Sequence, residues 1–183
     1  MSSAPSPSSS TTPRAANDVT VRRARTSDVA AIRRLLDGYV HERILLDKPT
    51  VTLYEDIQEF WVAEQDTDAE VVGCGALHVM WEDLAEVRTL AVRRDQHGKG
   101  VGHLVLGKLL QTARWLGVRR IFCLTFEVDF FTKHGFVEIG ETPVDGDVYS
   151  ELLRSYDEGV AEFLGLERVK PNTLGNSRML LHL

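Results

Sequence analysis

Three glycines within five residues, Gly98, Gly100 and Gly102, stand where a strand-like run gives way to a helical one. Residues 85–92 (AEVRTLAV) read as a strand and residues 93–102 as a Gly-rich turn. Residues 102–116 place Leu104, Val105, Leu109, Ala113 and Leu116 at helical spacing, with Gly117 as C-terminal cap. Such a junction aims backbone N–H groups and the positive end of a helix dipole at one point, which suits an anion. Arg93, Arg94, His97, Lys99 and His103 add positive potential there, although one or two of them are expected on any solvated surface. A purely structural turn is the competing reading.

The spacing excludes two nucleotide motifs. The dinucleotide fingerprint requires G-x-G-x-x-G, and here the third glycine falls one residue early. The NTPase loop requires Gly-Lys followed by Ser or Thr, and no such pair follows these glycines. The formal net charge of -6 argues against nucleic acid as the main partner. Polar residues break every apolar run before membrane-span length, so no membrane partner is expected. The two cysteines, Cys74 and Cys123, lie in apolar strand-like runs and read as reduced core thiols of a cytoplasmic protein. Cys123 as an acyl-accepting nucleophile stays open, with no His beside it in sequence.

The chain of 183 residues suits one domain, spanning 18–183, behind a tail over 1–17 rich in Ser, Pro, Thr and Ala. That tail has too little apolar surface to order itself and lacks the apolar segment of a secretory signal; its arginine and serine leave an organelle-targeting reading open. Residues 19–23 alternate as a first strand. Thr26 or Ser27 then caps a helix whose apolar face carries Val29, Ile32, Leu35, Leu36 and Tyr39, with Arg33 and Arg34 pointing away. Pro49 marks a loop, and Thr52-x-x-Glu55 has the form of a capping box opening a short helix to about Gln58. Strands follow at 60–64 and 71–80, the second carrying two glycines that imply a bulge or a close backbone neighbour.

Beyond the Gly-rich turn and its helix, residues 119–126 (RRIFCLTF) are nearly continuous in apolar residues and read as a central strand. A short helix at 129–134 ends at Gly135, and residues 136–139 extend again. Residues 147–164 show helical spacing through Val148, Leu152, Tyr156, Val160 and Phe163, and 178–183 read as a terminal strand. Hairpin strands followed by strand–helix–strand units predict an α/β, layered α+β architecture with a mixed twisted sheet flanked by helices.

At this point a resemblance becomes specific. LAVRRDQHGKGVGHLVLGKLL resembles the coenzyme A signature of the GNAT acyltransferase superfamily, a strand followed by [Arg/Gln]-x-x-Gly-x-[Gly/Ala] and a helix. His97 stands where Arg or Gln is usual. FFTKHGFVEIG resembles the family's second landmark, a helix ending in Gly-Phe before a strand. Within the superfamily the chain resembles N-acetylglutamate synthases, through VRRA with Asp28, through EVRTLAV, and through FCLT and SRML. Ile44, Leu45 and Leu46 with Lys48 fall where those enzymes carry a basic Ile-Leu loop. The amino-acid-kinase-like domain of the longer members is absent from these 183 residues, so their arginine inhibition does not carry over.

The resemblance implies a V-shaped splay between strands four and five that holds acetyl-CoA as co-substrate, with no metal. Its pantetheine arm would pair with Leu90 and Val92, and its thioester carbonyl would face an N–H near Leu90 or Ala91. Its pyrophosphate would rest on His97, Gly98, Lys99, Gly100, Val101 and Gly102. An amine acceptor must lose a proton before attack; Glu86 is the first candidate base and Glu127 the second. The family's usual Tyr acid is replaced by Phe131, leaving solvent, Tyr149 or Tyr156. An amino-acid acceptor needs cations for its carboxylate; Lys48, Arg88 and Arg178 are candidates, with Thr125 and Ser177 as added hydrogen-bonding groups. The implied activity is acetyl transfer to the α-amino group of L-glutamate or L-glutamine, which opens arginine biosynthesis. Acetylation of a protein amine, polyamine or drug amine, or acyl-CoA binding without turnover, are the alternatives. A homodimer through the C-terminal helix and strand is compatible with the sequence.

Overall fold

The computed structural model describes residues 19–42, 44–45, 47–166 and 175–183. The Ser/Pro-rich stretch 1–17 lies outside the described residues. Strands β1 (Val19–Arg23), β2 (Phe60–Gln65), β3 (Val71–Trp81), β4 (Leu84–Val92), β5 (Arg120–Thr125), β6 (Val137–Glu138) and β7 (Ser177–His182) form one mixed sheet. Their order is β1-β2-β3-β4-β5-β7-β6. Helices α1 (Val29–His41), α2 (Thr50–Glu55), α3 (Val101–Leu116), α4 (Val128–Thr132), α5 (Gly146–Leu152) and α6 (Glu158–Phe163) flank it. No helix among the described residues is long and apolar enough to cross a membrane.

Every neighbouring pair is antiparallel except β4 and β5, which run parallel. Their pairing covers Leu84↔Arg120, Ala85↔Ile121 and Glu86↔Phe122 and then stops. Residues 87–92 and 123–125 continue without pairing to each other, so the expected splay is present. On the other side of β4 the register steps from Cys74↔Ala91 to Ala76↔Arg88, which puts one extra residue into β4. Thr89 takes up that excess at φ 59, a left-handed conformation unusual for a β-branched residue. An inserted residue bends and twists its strand, and here the bend carries β4 away from β5.

The glycines of β3 lie opposite this bend. A Cβ on Gly73 would stand 2.9 Å from Val101 Cγ1, and one on Gly75 would stand 3.0 Å from both Val105 Cγ1 and Leu90 Cδ1. They let α3 lie close against the sheet through side chains rather than backbone, and the bulge expected in this strand is present as one extra residue between Ala63↔Gly73 and Glu64↔Val71. Val105, Leu106, Leu109 and Ala113 of α3 pack on Leu77, Ala85, Val87 and Ile121, each buried. On the opposite face Val29, Ile32, Leu36 and Leu53 cover Val62, Cys74 and Ala91. Further along that sheet, Leu152, Val160 and Phe163 cover Leu84, Phe122 and Leu180. Each such side chain, fully buried, contributes about 1.5–3 kcal/mol.

Four local expectations change. Residues 147–164 are not one helix: α5 ends at Leu152 and α6 begins at Glu158, where the Asp157 carboxylate caps the Val160 N–H. Tyr156 in the gap is 96% exposed. The helix expected to open at Thr52 begins at Thr50 behind Pro49 and closes at Glu55, because Pro fixes an extended entry one turn earlier. Leu116 of α3 is exposed, and Leu106, Leu110 and Thr112 complete the buried face instead. At the start of α1 a 3-10 turn spans Thr26–Asp28, and it is the Asp28 carboxylate that accepts the Arg25 N–H at 2.7 Å.

Candidate active site

The fork between β4 and β5 opens into a cavity of about 800 Å³. The Gly-rich turn closes one end, the α2 approach and the start of α6 close the other, and α4 forms a side wall. That volume is in the range of small-molecule sites.

At the turn, Gly98 and Gly100 have φ 74 and 83. A Cβ at either would meet no protein atom within 4 Å, so the glycines serve backbone conformation and the open space beside it. Gly100 is the N-cap residue of α3 and has no side chain to cap the helix, leaving the first-turn N–H groups of a 16-residue helix for a ligand anion. These residues fit the phosphates of a coenzyme. His97, which replaces the family's Arg or Gln, folds back: its Nε2 lies 2.9 Å from the Val92 carbonyl and 2.8 Å from the Tyr39 hydroxyl. Tyr39 also donates to the Val92 carbonyl. The Nε2–H tautomer satisfies both contacts, the ring nitrogen donating to each oxygen. Tyr39 therefore belongs to this wall, although the sequence placed it only in the apolar stripe of α1.

Leu90, Ala91 and Val92 line the fork itself. Phe131, 5% exposed, presents a ring with no hydroxyl and packs edge-on against Phe130 and Phe136. Tyr156 stands at the rim, whereas Tyr149 packs into the core beneath α5.

The far end is built from charges. Glu86 and Arg88, 4% and 8% exposed, point to the same face of β4. Arg88 Nη2 lies 2.7 Å from Glu86 Oε2, while Nη1 and Nη2 donate to the two oxygens of Asp157 at 2.9 and 3.0 Å. The bidentate pair holds Asp157 well below the usual carboxylate range, against the opposing effect of burial. Burial pushes Arg88 down, and its carboxylate partners more than offset that. A Cβ on Gly159 would stand 2.8 Å from both Arg88 Nη2 and Glu86 Oε2, so a side chain there would displace this pair from its present geometry. Behind it, His78 sits opposite Glu86 across β3 and β4 and pairs with Glu59 at 2.8 Å.

Lys48 faces the cavity from the α2 approach, its Nζ 3.8 Å from Asp56. Arg33 anchors this segment by bonding Asp47 at 2.9 Å and the Lys48 carbonyl; it does not simply point to solvent. Burial raises Asp56 above the usual range. Thr125, 7% exposed, lines the cavity, but its hydroxyl accepts the Glu127 N–H at 2.8 Å. Glu127 occupies the N-cap position of α4 without a side-chain capping bond and lines the cavity.

The structure thus brings Lys48, Glu86, Arg88, Thr125 and Glu127 to one cavity with the glycine turn. It does not bring Ser177 and Arg178 there. Ser177 donates to Glu138, and Arg178 lies over the Phe122 ring at 5.4 Å, donating to the Phe163 carbonyl. Burial lowers the Arg178 pKa. Arg88 is in place yet committed to two carboxylates, a fact its position in sequence could not disclose. Asn176 lines the cavity in their stead. Cys74 and Cys123 are buried free thiols outside its lining, with burial pushing Cys74 up to about 12 and Cys123 well above its ordinary value. This removes Cys123 as a nucleophile.

Comparison with known proteins agrees with this geometry. Residues 56–138 match the family model described as acetyltransferase (GNAT) domain. An amino-acid acetyltransferase of Mycobacterium tuberculosis is 61% identical over 162 residues, covering 88% of this chain and 92% of that relative. The crystal structure of Rv2747 from Mycobacterium tuberculosis, in complex with CoA and NLQ, superposes with a TM-score of 0.86 at 61% identity, over 90% of this chain and 99% of that one. N-acetylglutamate synthase from Neisseria gonorrhoeae shares the fold at a TM-score of 0.71 and 23% identity, this chain covering 35% of it. The forked sheet, the glycine cradle and these similarities together place the chain in the GNAT acetyltransferase family.

Proposed function

We propose that this protein transfers the acetyl group of acetyl-CoA to the α-amino group of L-glutamate or L-glutamine, the entry step of arginine biosynthesis. The observation that carries the reading is one cavity lined at one end by Gly98, Gly100, Val101 and Gly102, though not by Lys99, and, across the β4–β5 fork, a polar end holding Lys48 and Glu86. The relative named amino-acid acetyltransferase supports the acceptor class.

Backbone N–H groups of Leu90 or Ala91, on the stretch of β4 that β5 does not pair, polarise the thioester carbonyl and stabilise the oxyanion that forms on attack. Glu86 accepts a proton from the acceptor ammonium, directly or through water, so that a neutral amine attacks. Glu127, at the cavity wall, is the second candidate for that role. The new bond is amide C–N, the bond that breaks is thioester C–S, and the departing thiolate takes its proton from water, since Phe131 offers none. Lys48 pairs with the acceptor carboxylate, its contact with Asp56 being loose. Arg88 acts as a positioning residue, holding the Glu86 carboxylate in one orientation with Asp157 as its second anchor.

Glu127 and Glu158 on the lining favour a second reading, a polyamine or other cationic acceptor. Thiol release from acetyl-CoA, measured over a panel of free amino acids, polyamines and peptides, separates the two. Turnover with glutamate or glutamine is expected; turnover confined to polyamines or peptides would overturn the acceptor assignment, and tight binding without turnover would leave a binding module. We also assign the enzyme to the cytoplasm and to a homodimer. The proposed contact runs through the C-terminal helix and strand, although β7 itself is paired on both sides within the sheet. Light scattering in solution should give twice the chain mass.

A further inference from the structure

Two histidines at the cradle take no part in the chemistry above. His103 lies in the first turn of α3, immediately after Gly102, and lines the cavity. His134 follows α4, and its Nε2 stands 2.7 Å from His103 Nδ1. Phe130 packs against both rings, with centroids 4.9 and 5.1 Å away. An N···N approach of this length requires one shared proton between the rings. In the neutral pair one ring donates and the other accepts. If one proton is added, the N–H···N bond persists and each outer nitrogen then carries a hydrogen. The pair can therefore hold a single positive charge without rearrangement and present His103 Nε2–H as a charged donor. A second proton would put two N–H groups face to face and break the bond.

The surroundings of His134 disfavour its charged form. Burial, and next the neighbouring His103, lower the His134 pKa. From α3 and its turn the nearby charged residue along the chain is Lys99; from α4 they are Glu127, Asp129 and Lys133. None of the four hydrogen-bonds or ion-pairs with either ring among the described residues. Acidic side chains thus do not hold the pair charged, and a ligand phosphate beside the Gly98–Gly102 turn would be the dominant local anion.

Resting on the coenzyme reading of the cavity, we propose that His103 and His134 form a proton-loading contact for a phosphate group of coenzyme A, taking up one proton as the coenzyme binds. The phosphate is either the pyrophosphate or the ribose 3′-phosphate, and both present anionic phosphate oxygens to the rings.

The test is isothermal titration of CoA into the full chain at pH 7.5, in buffers of different ionisation enthalpy, which counts protons taken up. Uptake approaching one proton per CoA is expected for the wild type. His103→Gln and His134→Gln should abolish it and weaken binding about tenfold at pH 6.5. His103→Lys, with a permanent charge, should keep the affinity and lose the uptake, which a merely structural pair would not do. With 3′-dephospho-CoA, loss of uptake assigns the contact to the 3′-phosphate and retained uptake assigns it to the pyrophosphate. Equal uptake in wild type and His103→Gln, or none in the wild type, would overturn the proposal. Failure of the wild type to bind CoA at all would overturn the coenzyme reading as well.

Discussion

Replacing Asp157 by Asn tests whether the Arg88 clamp holds the polar end of the cavity together. Asp157 makes two charge-assisted bonds to Arg88, at 2.9 and 3.0 Å, and its side chain is 25% exposed. Net contributions of bonds to charged groups run to about 1.5–3 kcal/mol each. Partial exposure screens them, and Asn retains one acceptor for Arg88 or for the Val160 N–H, so a total loss of about 2 kcal/mol is expected. For a chain of this size that lowers the melting temperature by about 4–8 °C. The pH dependence is specific. The folded state holds Asp157 below its unfolded value of about 3.9, so its contribution is complete above that value and is lost as pH falls toward the folded one. Urea unfolding of both proteins should show the full gap at pH 6, narrowing by roughly 1 kcal/mol at pH 3. A double-mutant cycle with Arg88→Met should attribute most of the gap to the Arg88–Asp157 pair. A gap below about 0.5 kcal/mol, or one independent of pH, would show that the clamp does not stabilise this end.

Three further outcomes follow from the site. Glu86→Gln should lower kcat about a hundredfold and displace the rising limb of its pH profile; an unchanged profile would remove Glu86 as the base and turn attention to Glu127. Gly100→Val should weaken CoA binding at least tenfold, because a β-branched residue resists φ 83 and its side chain would project into the cradle; equilibrium dialysis with unaltered affinity would place the coenzyme elsewhere. Cys74 and Cys123 should stay unreactive to a thiol reagent at pH 8 and both should titrate in guanidinium, since burial raises both thiols far above that pH; fast reaction of either in the native protein would contradict its place in the core.

The glycine turn was legible because its signal is local: three glycines, a strand before and an amphipathic helix after. The splay is nonlocal, and only the family resemblance announced it. The misread at 147–164 is instructive. Leu152, Val160 and Phe163 are buried in one cluster, as their spacing implied, yet the chain breaks between them. Two short helices on one sheet face bury the same positions as a single long one, so periodicity cannot separate the cases. What separates them is Asp157, which starts α6 and reaches Arg88, a partner 69 residues earlier. Likewise Arg88, Arg178 and Lys48 are equivalent as letters. Tertiary partners alone decide that the first is chelated, the second lies on Phe122, and the third faces the cavity. The places of His134 beside His103 and of Tyr39 at the cavity were missed for the same reason, their partners lying 31 and 58 residues away.

The bend at Thr89 links these features physically. A β-branched residue in the left-handed region costs on the order of 1–3 kcal/mol and persists only where its surroundings over-determine it. Here Ala91 is buried beside Cys74 under α1, while Val87 is buried under α3 on the opposite face. Arg88, immediately before the bend, is locked by Glu86 and Asp157. Fixed on both sides, the extra residue has nowhere to go except out of register, and β4 leaves β5 just past Glu86. The pairing of β4 with β5 ends at Glu86, which therefore stands where the fork opens, with the glycine turn one strand-length away at the start of α3. The bend at Thr89 and the close packing of α3 over the β3 glycines thus act together on the stretch of β4 that lines the cavity.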